Sequence, residues 1–112
     1  MDKYSFFSSV FDVVKLIPEG RVTSYGAIAK YLGAKSGARM VGWALNQSIT
    51  NKDPIPAHRV VNRQGLLTGK IHFPGDSMER ELKKEGLIIE NDKILNFRER
   101  FWDPETELDV LN

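Results

Sequence analysis

From Ser5 to Ile17 the apolar residues Phe6, Phe7, Val10, Phe11, Val13, Val14 and Ile17 recur every three to four positions, the spacing that gathers one broad stripe along an α-helix. Pro18 and the Glu19-Gly20 turn predict its end. A second helical unit spans Thr23 to Gly33, with the Thr23 and Ser24 hydroxyls as caps and Gly33 as the stop. A third follows at once, with Ser36 as its predicted cap and Ala38, Met40, Val41, Ala44 and Leu45 as its apolar face. After a polar connection come two prolines, Pro54 and Pro56, that stiffen the chain, and then Val60-Val61, which read as a buried extended piece. The loop from Gly65 to Gly75 carries Gly65, Gly69, Pro74 and Gly75 and is suited to bending around something. Asp76 and Glu79 have the spacing of a capping box for a helix that runs to Gly86. Leu87 to Leu95 reads as two short strands about an Asn91-Asp92 turn, and Phe101-Trp102 sit in an otherwise polar tail.

These elements predict a small, mainly helical α/β fold of the winged helix-turn-helix kind, with the Leu87–Leu95 hairpin as a small β-wing. The expected division is a domain over residues 1–95 and a C-terminal extension, 96–112, pinned to it by aromatics. Two short helices joined through Gly33–Gly37 have the sequence form of a helix-turn-helix, whose second helix enters a DNA groove with its first residues leading. Paired helices are also common in domains that never meet DNA.

Charge sharpens the picture by its distribution. The 112 residues carry a net charge of only +1, so the total predicts no partner. Between Arg21 and Lys70, however, eight basic residues (Arg21, Lys30, Lys35, Arg39, Lys52, Arg59, Arg63 and Lys70) face one acid, Asp53. This middle stretch is the expected anion-binding face. The chain has no cysteine, which excludes disulfides and thiol chemistry. With no apolar segment of membrane or signal-peptide length, the expectation is a cytoplasmic protein without a membrane partner, nucleoid-associated if bacterial, and a monomer. No cofactor is expected, and His58 and His72 do not have metal-ligand spacing.

Four segments carry a resemblance: Val22-Thr23-Ser24-Tyr25-Gly26, Gly37-Ala38-Arg39-Met40-Val41-Gly42, Ile55-Pro56-Ala57-His58-Arg59-Val60-Val61 and Leu82-Lys83-Lys84-Glu85-Gly86. In order and approximate spacing, over roughly residues 4 to 90, they resemble the active domain of the O6-alkylguanine-DNA alkyltransferases. That family's central Pro-Cys-His-Arg-Val uses its cysteine to take an alkyl group from guanine O6. Here Ala57 stands at the cysteine position. The chain therefore looks like an alkyltransferase-like protein, the branch that keeps the lesion pocket without the acceptor thiol. Alkyl transfer is a displacement that needs a thiolate, and a methyl side chain has no lone pair to offer.

The resemblance implies no catalytic residue. His58 and Glu85, which match the pair that draws off the thiol proton, are expected as a hydrogen-bonded pair on the pocket floor. Tyr25 is expected to crowd the phosphate 3′ of a flipped nucleotide, and Arg39 to fill the gap left in the stack. Ser24, Ala38, Gly42 and Arg59 are expected beside them on the DNA, with small residues permitting minor-groove approach. The lesion pocket is expected from Pro56, Ala57, Val60, Leu67, Thr68 and Gly69. In the lid, Leu67-Thr68-Gly69-Lys70 replaces the Tyr-Ser-Gly-Gly of human-type transferases, and Asn46, Ser48 and Asn51 all compete for the family's hinge asparagine. The implied partners are duplex DNA containing O6-alkylguanine and nucleotide excision repair proteins. Two other readings stay open: a methyltransferase inactivated by loss of its cysteine, and a helix-turn-helix regulator that reads sequence.

Overall fold

The computed structural model describes residues 3–34 and 36–109. Lys35 of the basic stretch and residues 110–112 of the extension lie outside the described residues. Helix α1, Lys3–Val14, turns Phe6, Phe7, Val10, Val13 and Val14 inward. It ends three residues before the sequence pattern does. Residues 15–17 close instead as a tightened turn, with Leu16 N–H donating to Val13 O and Ile17 N–H to Val14 O, because Pro18 disfavours helical backbone at the residue before it. Ile17 remains buried all the same.

Strand β1, Thr23–Ser24, pairs in parallel with β2, Val60–Val61, in the register Thr23 to Val60 and Ser24 to Val61. Ser24 then caps α2, Tyr25–Tyr31, its Oγ accepting from Ala27 N–H at 3.1 Å. Gly33, at φ +76°, ends that helical unit as glycine readily does. Helix α3, Ala38–Thr50, buries Val41, Ala44, Leu45 and Ser48. Its N-cap is Gly37 with no side-chain cap bond, so Ser36 does not hold the expected place. A Cβ at Gly37 would stand 2.8 Å from Ala34 Cβ and 2.9 Å from Ala34 O, and the chain turns there because the cap residue has no side chain. Ala38, expected on the apolar face, is exposed.

Helix α4, Ser77–Lys84, buries Met78 and Leu82. Its capping box is absent: Asp76 is the N-cap residue but makes no cap bond, and its carboxylate pairs with Arg80 instead. The predicted wing forms as β3, Ile89–Glu90, and β4, Lys93–Ile94, antiparallel, with Asn91 at φ 54° and Asp92 at φ 62° in the mirror-image turn that suits a twisted hairpin. Helices α5, Phe97–Arg100, and α6, Pro104–Asp109, complete the described chain.

The apolar interior has two parts. The first joins α1, α2 and α3 to Ala57, Val60 and Trp102; the second holds Val22, Val61, Leu67, Met78, Leu82, Leu87 and Ile94. Alternation along a strand explains the division, since neighbouring residues face opposite ways and Val60 enters one cluster while Val61 enters the other. The C-terminal segment is stitched to the start of β1. Phe101 bridges Val22 in parallel, and Trp102 N–H donates to Val22 O at 2.7 Å.

Candidate nucleic-acid interface

The outward face of α3 presents Ala38, Arg39, Trp43 and Gln47, with Gly42 and Asn46 half-buried between them. Arg39 sits at the second position of the helix and forms no hydrogen bond or ion pair among the described residues. One turn on, the Trp43 indole is 54% exposed, a large aromatic that the interior does not use. A Cβ at Gly42 would meet nothing within 4 Å. Its lack of a side chain therefore serves no packing inside the molecule, and leaves backbone open to whatever lies against this face.

Tyr25 opens α2 and is half-buried. Its hydroxyl lies 2.7 Å from where a Cβ on Gly69 would be, so the ring closes against the glycine loop. Burial raises the phenol above its ordinary range, with a hydrogen bond to the Thr68 side chain working in the opposite direction, and Tyr25 stays a neutral donor. Ser24 is buried and its hydroxyl is engaged in capping α2.

Ala57 opens a 3-10 turn, Ala57–Arg59, and its methyl is buried in the first cluster. The expected pair forms next to it, with His58 Nε2 donating to Glu85 Oε2 at 2.6 Å. Two further partners were not foreseen. Arg59 donates to the same carboxylate through Nε at 3.0 Å and NH2 at 2.9 Å, and Gly20 N–H donates to Oε1 at 2.9 Å. Arg59 NH1 donates to Ile17 O at 2.8 Å. Arg59, expected on the DNA, is therefore turned inward onto Glu85 and the Ile17 carbonyl. Burial alone would push the Glu85 carboxyl up, but Arg59, Gly20 and His58 together bring it down to about 2. The result is a clamp joining the C-cap of α4, the turn before β1 and the segment around Ala57.

The expected pocket residues do not share one surface. Val60 lies in the first cluster and Leu67 in the second, on opposite sides of the β1–β2 pair. Pro56 and Gly69 are half-buried and Thr68 is exposed. Leu67 and Thr68 line a cavity of about 320 Å³ with Leu66, Lys70, Ile71 and Asp92, and this cavity does not include Ala57. Among the hinge candidates, Ser48 is buried and donates to Leu45 O, while Asn51 is the exposed C-cap of α3.

The basic middle is also smaller than its composition. Arg21 donates to the carbonyls of Arg100 and Phe101, Lys30 pairs with Glu105 and Lys70 with Asp92. Of the seven arginines in the sequence, Arg39, Arg63 and Arg98 alone lack an internal bond among the described residues. Arg98 lies beyond the basic stretch, in a tail whose acids conceal it from a count of local charge.

The profile of the 6-O-methylguanine DNA methyltransferase DNA-binding domain matches residues 5–90. The chain belongs to this family. Within it, the chain is 35% identical to alkyltransferase-like protein 1 of Schizosaccharomyces pombe, over 88% of this chain and 95% of that protein. It is 33% identical to the DNA base-flipping protein of Escherichia coli, over 88% of this chain and 75% of that one. The structure superposes on S. pombe Atl1 in complex with damaged DNA containing O6-carboxymethylguanine with a TM-score of 0.80 at 32% identity, covering 93% of this chain and all of the other. The family fold is thus a helical domain with a small β-wing, and this chain of the family has no cysteine.

Proposed function

We propose that this protein binds O6-alkylguanine in duplex DNA by flipping the nucleotide out, transfers no alkyl group, and so shields the lesion or flags it for nucleotide excision repair. One observation carries the reading: a chain without a single cysteine holds a buried methyl at Ala57, while His58 and Glu85 beside it remain bonded. Such a site can hold a base but has no nucleophile to attack its adduct. Family membership, the similarity to a DNA base-flipping protein and the likeness to Atl1 bound to damaged DNA support the same reading.

In this reading Tyr25 presses on the phosphate next to the flipped nucleotide, and Arg39, exposed and without an internal partner, enters the stack in place of the base. Ala38 and Gly42 let the helix approach closely. Alanine leaves more room beside the base than a bulky side chain would, so adducts larger than methyl bind no worse than O6-methylguanine. No helix among the described residues is long and apolar enough to cross a membrane. The protein acts where the chromosome is, in the cytoplasm or on the nucleoid of a bacterium.

The test is competition between two duplexes of one sequence, with guanine or O6-methylguanine at the same position. Preference for the modified duplex is expected, together with absence of radiolabelled methyl from the polypeptide. Equal affinity for both, or label that becomes covalent, overturns the reading. Arg39→Ala removes the preference while leaving weak, salt-sensitive binding to both duplexes.

A further inference from the structure

Arg63 and Arg98 are brought together by three separate pieces of the fold. The Ser24–Val61 register sets the start of α2 beside the segment that carries Arg63 two residues later. Asn62 fixes the turn there, its Oδ1 accepting from Gln64 N–H at 2.9 Å and from Leu66 N–H at 2.8 Å. At Gly65, φ is +83° and a Cβ would stand 2.9 Å from Phe97 Cγ, so the Phe97 ring packs directly on the turn and brings α5, with Arg98, alongside. Phe101 meets Phe97 edge-on at a centroid distance of 5.5 Å.

These residues line an open hollow of about 360 Å³, formed by Ser24, Arg63, Phe97, Arg98 and Phe101. Two guanidinium-bearing side chains without internal partners reach it, and no carboxylate lines it. The contrast with the larger cavity of about 450 Å³ is direct, because there Asp76, Glu79 and Asp92 surround a single lysine that is already paired with Asp92. An anion is repelled from the larger site and attracted to the smaller. Ser24 on the wall immediately precedes Tyr25, so a strand pressed by Tyr25 continues past this opening.

The geometry points to a second DNA contact, in which Arg63 and Arg98 hold a backbone phosphate flanking the flipped nucleotide and the Phe97 and Phe101 rings face its deoxyribose. Guanidinium suits this ligand through its planar, forked donors. The contact grips DNA of any sequence, damaged or not, because phosphates carry no base information. It rests on the lesion-binding reading for its place on the strand, although the contact itself needs only duplex DNA.

The experiment measures dissociation constants of the full chain for plain and O6-methylguanine duplexes across a salt series, for wild type, Arg63→Ala, Arg98→Ala and the double variant. Each single change is expected to weaken both duplexes equally, by roughly fivefold, and the double variant, which loses the one phosphate contact, to lower the magnitude of the salt slope by about one. Arg63→Lys with Arg98→Lys keeps the slope. Melting curves are unchanged, since neither side chain bonds to the rest of the protein. Unaltered affinity and slope in the double variant overturn the contact, as does loss of lesion preference with plain-duplex binding intact. Because the slope is read on plain DNA, a wild-type protein without lesion preference refutes the lesion reading alone and leaves this outcome separately measurable.

Discussion

Glu85 is held by three partners from distant parts of the chain, and its behaviour with pH follows from them. Folding lowers its carboxyl from the ordinary 4.5 to about 2, so the unfolded chain takes up the proton first. The stability it contributes is complete above pH 4.5 and drains away as the pH falls from there toward 2. Glu85→Gln is expected to cost on the order of 3 kcal/mol at neutral pH, leaving Arg59 half-buried without its counter-charge. It also flattens the acid limb of stability, as urea unfolding at stepped pH reveals; an unchanged acid limb would show that Glu85 does not govern it. The His58–Glu85 pair was legible in the sequence because the family motif places both. Arg59 was not, since its direction depends on a carboxylate twenty-six residues away and on the Ile17 carbonyl. Arg63 and Arg98 were hidden for the complementary reason: their freedom is defined only once every other arginine has found its bonds.

At the level of elements, hydrophobic periodicity located α1, α2 and α3, because each buries a face whose spacing the chain must carry, while the Asp76–Glu79 spacing pointed to α4 and the Asn91-Asp92 turn to the wing. The helix starts were less legible. Ser36 and Asp76 have capping chemistry, but the tight approach of Gly37 to Ala34 and the pairing of Asp76 with Arg80 decided otherwise. The same kind of closeness couples the glycine loop to α2. Gly69 has an ordinary backbone, φ −85°, and alanine is denied to it only by the Tyr25 hydroxyl. Gly69→Ala is therefore expected to swing the ring while changing unfolding free energy by less than about 0.5 kcal/mol. Binding to the O6-methylguanine duplex should weaken by about tenfold, equal to 1.4 kcal/mol. Loss of stability with unchanged affinity would place Tyr25 in the fold and not at the DNA.

Across the whole molecule, two apolar clusters share one thin pair of two-residue strands, and the C-terminal segment ties itself to the first of them. The sequence signalled this tail through Phe101-Trp102, but not its partner, because pairing over eighty residues leaves no local pattern. Trp102 is 3% exposed within the cluster that α1, α2 and α3 build. Trp102→Ala is expected to lose about 3–5 kcal/mol in denaturant unfolding, comparable to opening the core itself. A loss below 1 kcal/mol would mean the tail merely rests on the surface. The stitch between Val22 and Phe101 also sets a schedule for synthesis. A ribosome that has made Val22 has not yet made Phe101 and Trp102, which tie it down, so a nascent chain exposes greasy helices to chaperones. Arrest-peptide force profiles on stalled chains should accordingly register a pull only after Trp102 clears the exit tunnel, and an earlier pull would break that schedule.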